Sequence, residues 1–509
     1  MQCAVATAVR RTRHLTSCLN FPSRISFLSV HQQHRLEPRR FVHEYIPRRS
    51  DAQKATIYAL STPPGKAGIA VVRVSGPDAL QVWENVVQRS SHSNVEPWRM
   101  ERCRIVHPVT KNMLDDGLAV YFKAPKSFTT EDVLELHIHS GRAVIASVLD
   151  ALSHLPYCRP AEPGEFTKRA FLGGRLDLAQ VEGLKDLIDA ETESQRRLAL
   201  EAAGGATSAR FEELRTGIIR CLAKIEALID FSEGENLEEG VYDDARNNAT
   251  KLLTTIRSYL SDNRRGEIMR SGVRLTIFGP PNAGKSSLLN FLARREAAIV
   301  TPVPGTTRDI LELSLDIGGI PVIISDTAGL RATDDLVEQI GVERARKAIQ
   351  AADIALCVVS CEDLGASSEL PSSVRELVTK DTFMVFNKMD LLKKDSFSVE
   401  HPYRWMTSLK TGQGTTEFLA GFAESLRSKY DLDQDGSSSE APLITHARHR
   451  IHLESAAGFI EAFLETTADE VVFGAEELRY AAQAVGKVSG RIDIEDILDS
   501  IFRDFCIGK

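Results

Sequence analysis

The hydrophobic and polar positions of this 509-residue chain change their period several times. Between about 55 and 170, apolar and polar residues alternate in the runs TIYALST, AGIAVVRVSG, LAVYFKAP and DVLELHIHSG, with turn residues between them. A period of two bounded by Gly, Pro and Ser predicts half-buried strands. RAVIASVLDAL (Arg142–Leu152) has helical spacing instead, so this stretch is predicted to be an α+β domain. From about 175 the spacing becomes three and four, in LDLAQVEGLKDLIDAETESQRRLALEAAGG and FEELRTGIIRCLAKIEALIDF. That spacing predicts the amphipathic helices of a bundle. Short apolar runs follow, VRLTIF (Val273–Phe278), PVIIS (Pro321–Ser325) and TFMVF (Thr382–Phe386), and these read as buried strands. A polar stretch, DLDQDGSSSE (431–440), reads as a linker. Helical spacing then returns in HLESAAGFIEAFLE, ELRYAAQAVGKVSG and IEDILDSIFRDF.

The predicted chain is therefore multidomain. An α+β domain at 55–173 precedes a helical domain in two parts, 174–270 and 431–509, with an α/β domain at 271–430 inserted between them. An inserted domain needs its two ends close together.

Composition changes this picture at one place. Residues 1–50 hold nine Arg, no Lys and only Glu37 and Glu44, with Ser, Thr and His filling in. An Arg-rich, acid-poor, hydroxyl-rich leader is the composition of a mitochondrial transit segment, and a disordered basic arm for RNA is the alternative. The whole chain carries −8, with 62 basic and 70 acidic residues; without residues 1–50 it carries −15. A chain that acidic does not hold nucleic acid by bulk charge. Any RNA contact needs a local patch or a partner, and THARHR (Thr445–Arg450) is either such a patch or an ordinary helix face. No apolar run reaches the ~18 residues of a membrane span. The eight Cys form no C-x-x-C pair, and Cys357 and Cys361, flanking a strand-like run, read as buried thiols.

The chemistry begins at GPPNAGKS (Gly279–Ser286), between the strand VRLTIF and the helix opening SSLL. The pattern G-x-x-x-x-G-K-[ST] in that context is a phosphate loop. Its glycines let the backbone curl inward, Lys285 brings a charge to the β- and γ-phosphates, and the Ser286 hydroxyl suits Mg²⁺. Asn282, Ala283, Gly284 and Ser287 complete the loop's candidate contacts. DTAG (Asp326, Thr327, Ala328, Gly329) follows a buried strand and suits Mg²⁺ and the γ-phosphate. NKMD supplies Asn387, Lys388 and Asp390, and Asp390 accepts from both N1–H and the 2-amino group of guanine. Adenine lacks that donor pair, so the motif selects GTP. Thr301, Pro302, Val303, Pro304, Gly305, Thr306 and Thr307 form a polar loop in which Thr307 completes the Mg²⁺ ligands; Ser408, Leu409 and Lys410 pad the base. Leu330 stands where many small GTPases place a water-orienting Gln, and no arginine finger is evident. Another group must orient the water. Asp334, Asp335 and Glu338 follow, either for that purpose or as a solvated helix start.

TPPGKAGIAVVRVSG (Thr62–Gly76), SFTTEDVLELHIHSG (Ser127–Gly141), PGEFTKRAF and GRLDLAQVEGLKDLIDA (within Pro163–Ala190), DTAGLR and the terminal FCIGK together make a more specific pattern. On these motifs the chain resembles the TrmE/MnmE tRNA-modification GTPases over roughly 55–509, and with its leader it looks like a mitochondrial member. The resemblance implies a GTP-hydrolysing homodimer in the mitochondrial matrix. It implies an FAD-containing partner of the MnmG/GidA type and a mitochondrial tRNA substrate. It also implies a tetrahydrofolate one-carbon derivative, 5-formyl or 5,10-methylene, as carbon source. The product would be a 5-taurinomethyl-type group on the wobble uridine (U34), carboxymethylaminomethyl-type in bacterial relatives.

By the same resemblance, the α+β domain binds folate and dimerises. Its contacts fall on Arg73, Glu135, Arg175 and the terminal Lys509; Arg175 is often Lys in the family, which alters geometry while keeping charge. Cys506 matches the family's C-terminal cysteine, as a reactive thiol or a packed one. Asn282, Thr301, Val303 and Thr306 match a K⁺ site that does the electrostatic work of an arginine finger and pairs two GTPase domains. Glu338 matches the family's water-orienting glutamate. Two other readings compete: a GTP-switched mitochondrial ribosome assembly factor, and a folate enzyme with a degenerate GTPase. The folate-type domain and FCIGK tail argue against the first, and the intact Lys285, Ser286, Asp326 and Asp390 against the second.

Overall fold

The structure is a computed structural model. It describes residues 55–89, 94–230, 240–262, 264–295, 299–302, 311–324, 346–364, 370–392, 401–430, 441–490, 505 and 508. The leader, Val303–Thr307, Asp326–Leu330, Glu338, Cys506, Lys509 and the run IEDILDSIFRDF up to Asp504 lie outside these residues.

The alternating runs form a seven-stranded sheet: β1 (Thr56–Leu60), β2 (Ala67–Ser75), β3 (Val87–Gln88), β4 (Met100–Val106), β5 (Met113–Phe122), β6 (Val133–Ser140) and β7 (Cys158–Pro160). Their spatial order is β3-β4-β5-β6-β2-β1-β7. All pairs are antiparallel except β1 with β7. Side chains alternate across the sheet, so register decides which residues share a face. Val72, Val74, Leu134, Leu136 and Ile138 point to one side. There they form a core with Val82 and Trp83 of helix Ala79–Val86 and Val148 and Leu152 of helix Arg142–Ser153. Arg73 pairs in register with Glu135, so both lie on the opposite face.

The helical domain is one body built from two segments. Phe211, Leu214, Ile218, Cys221 and Ile225 form a three-four stripe on helix Ala206–Asp230. They share a core with Ala245, Ala249, Leu253 and Ile256 of helix Val241–Leu260, with Leu453, Ala456, Ile460 and Phe463 of helix Ala447–Glu465, and with Leu478, Ala481, Val485 and Val488 of helix Val471–Ser489. The α/β stretch is inserted between these halves. Its entrance and exit are adjacent: Arg270, on helix Arg265–Ser271, donates from Nε to the Thr445 carbonyl at 2.9 Å.

THARHR is not a surface patch. Arg448 grips the Glu182 carboxylate at 3.0 and 2.8 Å and also donates to the Lys487 and Val488 carbonyls. His449, 1% exposed, bonds Glu182 at 2.9 Å. Arg450 binds Asp262 at 2.8 Å and the Leu260 carbonyl at 2.9 Å. These cations were open to reading as an RNA contact because sequence shows charge but not its partners. Here the partners are acids of the preceding segment, the buried Glu182 on helix Leu178–Asp189 and the half-buried Asp262 in the turn after Leu260. Burial opposes ionisation of Glu182, but His449, His446 and Arg448 outweigh it and hold its carboxyl far below the ordinary range. Burial pushes His446 down to about 3 and His452 to about 4, and pushes Asp186 up to about 6.

The inserted domain has a second seven-stranded sheet: β8 (Val273–Phe278), β9 (Ile299–Pro302), β10 (Leu311–Ile317), β11 (Ile320–Ile324), β12 (Ile354–Ser360), β13 (Phe383–Asn387) and β14 (Arg404–Met406). The order is β14-β13-β12-β8-β11-β10-β9, parallel except at β9 and β10. Strands β12 and β13 are buried nearly throughout, as a sheet covered on both faces requires. Strand β8 is central: the chain builds β9, β10 and β11 on one side of it, then β12, β13 and β14 on the other. The carboxyl end of such a strand is where doubly wound sheets bind ligands. Cys357 lies within β12 and Cys361 just after it; both are buried, and burial pushes their thiols up to about 12 and about 11. Among the described residues no helix is long and apolar enough to cross a membrane.

Candidate functional site

Two sites emerge, one at the carboxyl end of β8 and one on the outer face of the first sheet. At the first, Gly279 (φ 150°) and Gly284 (φ 105°) adopt backbone conformations closed to most side chains. Packing forbids a Cβ as well. One on Gly279 would lie 2.0 Å from the Val358 carbonyl oxygen, and one on Gly284 would lie 2.1 Å from Asn387 Nδ2. Asn282 takes the left-handed region at φ 57°, which Asn tolerates better than most residues. The loop curls into helix Lys285–Arg295, whose Leu288 and Leu292 are buried against the sheet. Lys285 donates to the Gly279 and Pro280 carbonyls at 3.0 and 2.7 Å, which holds its ammonium across the concave side of the loop. Ser286 stands next to it in the helix's first turn, where backbone N–H groups and the helix dipole favour an anion. Its hydroxyl is the kind of hard oxygen donor that Mg²⁺ takes.

The base-recognition loops are fastened to this loop by one side chain. Asn387, 4% exposed, donates from Nδ2 to the Ala283 carbonyl at 2.9 Å and accepts at Oδ1 from the Leu409 amide at 3.2 Å. It thereby joins the phosphate loop, the end of β13 and the Ser408–Leu409–Lys410 loop. The buried Ser408 hydroxyl donates to Asp390 Oδ1 at 2.6 Å and fixes the carboxylate's orientation. Lys388, at φ 64°, reaches Glu362 at 3.2 Å. Sequence grouped these residues by motif; it did not reveal that Asn387 ties three loops together, or that Ser408 orients Asp390. Thr301 and Pro302 lie in β9, opposite Glu312 and Leu311.

At the second site, Arg73 binds Glu135 through Nε at 3.0 Å and Nη2 at 2.9 Å, with both side chains mostly buried. The guanidinium lies 5.2 Å from the Phe128 ring centroid and 5.8 Å from that of Phe166. Arg175 lies 5.9 Å from Phe128 and donates to the Ser127 carbonyl. Arg73 and Arg175, far apart in sequence, thus converge on Phe128, and Glu135 joins them through Arg73. Arg73 and Glu135 are partners of each other, not two independent contacts. Burial opposes ionisation of Glu135, but His137 and Arg73 outweigh it and hold the carboxyl below its ordinary range. Beneath them Arg169, 3% exposed, bonds Glu131 and Glu165 at 2.9 Å and the Ala55 carbonyl at 2.8 Å, which fixes the segment leading to Arg175. A charged edge against an aromatic face suits a flat heterocycle with a polar rim, the chemistry of a pterin.

The chain end closes on the same region. Phe505 is buried with Leu178 and Val181 and packs against Phe171 and Leu176, which flank Arg175 in sequence. Ser61 donates to the Gly508 carbonyl at 2.9 Å. Gly508 (φ 96°) packs so tightly that a Cβ would stand 2.1 Å from the Leu60 carbonyl oxygen. Sequence flagged the tail and the SFTTED run by resemblance, but assigned no part to Phe128, Ser61 or Phe505.

Two family descriptions match the chain, "GTP-binding protein TrmE N-terminus" over residues 56–175 and "MnmE helical domain" over 178–506. A tRNA modification GTPase MnmE of Parvibaculum lavamentivorans is 47% identical, over 89% of this chain and 100% of the relative. The mitochondrial 5-taurinomethyluridine-[tRNA] synthase subunit GTPB3 of Danio rerio is 44% identical, over 89% of this chain and 93% of the relative. Among solved structures, the G domain of the T. maritima FeoB iron transporter is similar at 21% identity, over 30% of this chain and 98% of that one, with a TM-score of 0.22.

Proposed function

Because the chain belongs to the TrmE/MnmE family of tRNA-modification GTPases, we propose that it acts in mitochondria on the wobble uridine (U34) of tRNA. In this reading it installs a 5-taurinomethyl-type group with a folate-derived one-carbon unit and an FAD-containing MnmG/GidA-type partner. The Danio rerio relative, a subunit of a 5-taurinomethyluridine-[tRNA] synthase, supports the product class and the need for a partner. The observation that carries the reading is the presence of two sites in one chain: a guanine-nucleotide site around Lys285 and Asn387, and a charged aromatic site around Arg73 and Phe128. A GTP-switched ribosome assembly factor needs the first and has no use for the second.

Each residue's proposed part follows from its chemistry. Lys285 neutralises the β- and γ-phosphates, Ser286 and Thr307 hold Mg²⁺, and Asp390 accepts the guanine donor pair. Asn282, Thr301, Val303 and Thr306 hold K⁺, which supplies positive charge to the phosphates when bound. Glu338 orients the attacking water in place of the Gln that Leu330 replaces. Arg73, Glu135, Arg175 and Lys509 bind the folate, and Cys506 stands as the tail's candidate thiol. The second reading of Cys506, as a packed thiol, stays open to test by its alkylation rate. Matrix location and homodimer formation, with K⁺-dependent pairing of the GTPase domains, belong to the same proposal.

Mass spectrometry of wobble uridines in mitochondrial tRNA after depletion of the chain tests this reading. Loss of the taurinomethyl group supports it; unchanged modification with stalled ribosomal subunits overturns it. For Glu338→Ala, GTP turnover in K⁺ is expected to fall by at least ~10²-fold, with GTP affinity within a few-fold of wild type. Normal single-turnover hydrolysis by that variant removes Glu338 from its role.

A further inference from the structure

Glu135 presents two carboxylate oxygens to the second site, and the structure treats them differently. Oε1 takes both Arg73 contacts, at 3.0 and 2.9 Å. Oε2 faces the imidazole of His137, with Nε2 3.6 Å away, just beyond hydrogen-bond reach. His137 follows Glu135 by two positions on β6, so both side chains stand on the same face of the sheet. Its Nε2 is shielded from water and makes no hydrogen bond among the described residues. The nitrogen still attracts the carboxylate through charge and helps hold Glu135 below its ordinary range, but the hydrogen bond it leaves unmade is unfavourable, and such groups in native folds call for an explanation.

The surroundings leave the ring little room to find another partner. Its strand neighbours are Val71 on β2 and Leu118 on β5, both without polar side chains. His139, the next residue on this face, is taken by Asp115 at 2.8 Å. Glu135 Oε2, 3.6 Å away, is an acceptor within reach of a small shift. A movement of ~0.5 Å would turn the contact into a hydrogen bond. Ligand binding supplies a reason for such a movement: a heterocycle donating to the carboxylate draws it square to its own edge and excludes the remaining water. Every bond to Glu135 then strengthens in the lower local dielectric.

We propose that His137 is a positioning residue of the folate site: it holds the second oxygen of Glu135 so that the carboxylate meets the donor edge of the pterin in a fixed plane. This inference rests on the folate reading of the site. It assigns His137 a cost in the free protein that is recovered when ligand is bound, so function and stability move in opposite directions at this position.

The test uses the full chain with 5-formyltetrahydrofolate as probe, comparing wild type, His137→Leu and His137→Gln. Leu removes the nitrogen and fills the space; Gln keeps a donor of similar reach. His137→Leu is expected to weaken folate binding about 10-fold while leaving Tm equal to or above wild type and GTP affinity unchanged. His137→Gln is expected to bind within about 3-fold of wild type. A merely structural residue would lower Tm and folate affinity together in both variants. If wild type binds folate and His137→Leu binds it equally well, the role of His137 falls alone. If wild type fails to bind folate, the reading of the whole site falls and this inference with it.

Discussion

The nucleotide site and the proposed folate site are built in opposite ways. The first is assembled from short motif loops around the carboxyl end of β8 in the second sheet, all between Gly279 and Lys410. Its glycines, lysine and asparagine are required by local geometry, so their spacing in sequence is itself the signal. The second is assembled from the antiparallel sheet, the loop at Phe128, the turn at Ser61 and the chain end at Gly508. Ser61 and Gly508 are 447 positions apart. No spacing rule connects such residues, because a cross-strand register and a docked tail set their distances. A motif is legible where one stretch of backbone makes the site; where the fold makes it, the same residues look like ordinary surface charges.

The largest effect confined to one site is expected at Asp390. Replacing it by Asn puts a donor where guanine also donates, so GTP affinity is expected to fall by on the order of 10²–10³-fold. Xanthosine triphosphate, with an acceptor in place of the 2-amino group, should recover part of that loss. Folate binding should not change, because Asp390 lies in the other domain, in the turn after β13; competition titrations with both nucleotides and a folate titration check this.

Gly508→Ala tests the second site's dependence on the chain end. Its Cβ would meet the Leu60 carbonyl at 2.1 Å, so the tail must undock or shift. Folate affinity is expected to drop about 10-fold or more, with GTP affinity unchanged. Equal loss of both would mean that the two sites are not separately built.

The smallest expected effect concerns what joins the two regions. In the fold, His446 and His452 sit at about 3 and about 4, below the ordinary value of 6.5. The unfolded chain therefore takes up protons first as pH falls below about 6.5, and stability is lost in that direction. Asp186, raised to about 6 from 3.8, has the opposite sign: its contribution is present at low pH and is lost as pH rises through 6. Two histidines against one aspartate make acid the destabilising direction. Tm should fall by about 3 °C or more between pH 7.5 and pH 5.5, and His446→Asn should flatten that slope.

Much of the fold was legible from period alone. Val72, Val74, Leu134 and Leu136 alternate, and Phe211 to Ile225 recur at three and four, because burial on one face demands it. The insertion of one domain in another was legible from two helical segments of like pattern, and the shared core of Ile218 with Ile460 and Val485 is its physical basis. The inward fate of Arg448 was not legible, since its partner Glu182 lies 266 positions away. Nor was Phe128, an apolar residue in a loop whose ring is flanked by two guanidinium groups.

Two separately built sites are proposed to serve one reaction. The decisive measurement is tRNA modification in cells depleted of the chain and supplied with Lys285→Ala or Gly508→Ala, read by mass spectrometry of the wobble uridine. Each variant should lose the taurinomethyl group while its purified protein still binds the ligand of the unaltered site. Full modification by either variant, once its own ligand is shown to be lost, would contradict the account.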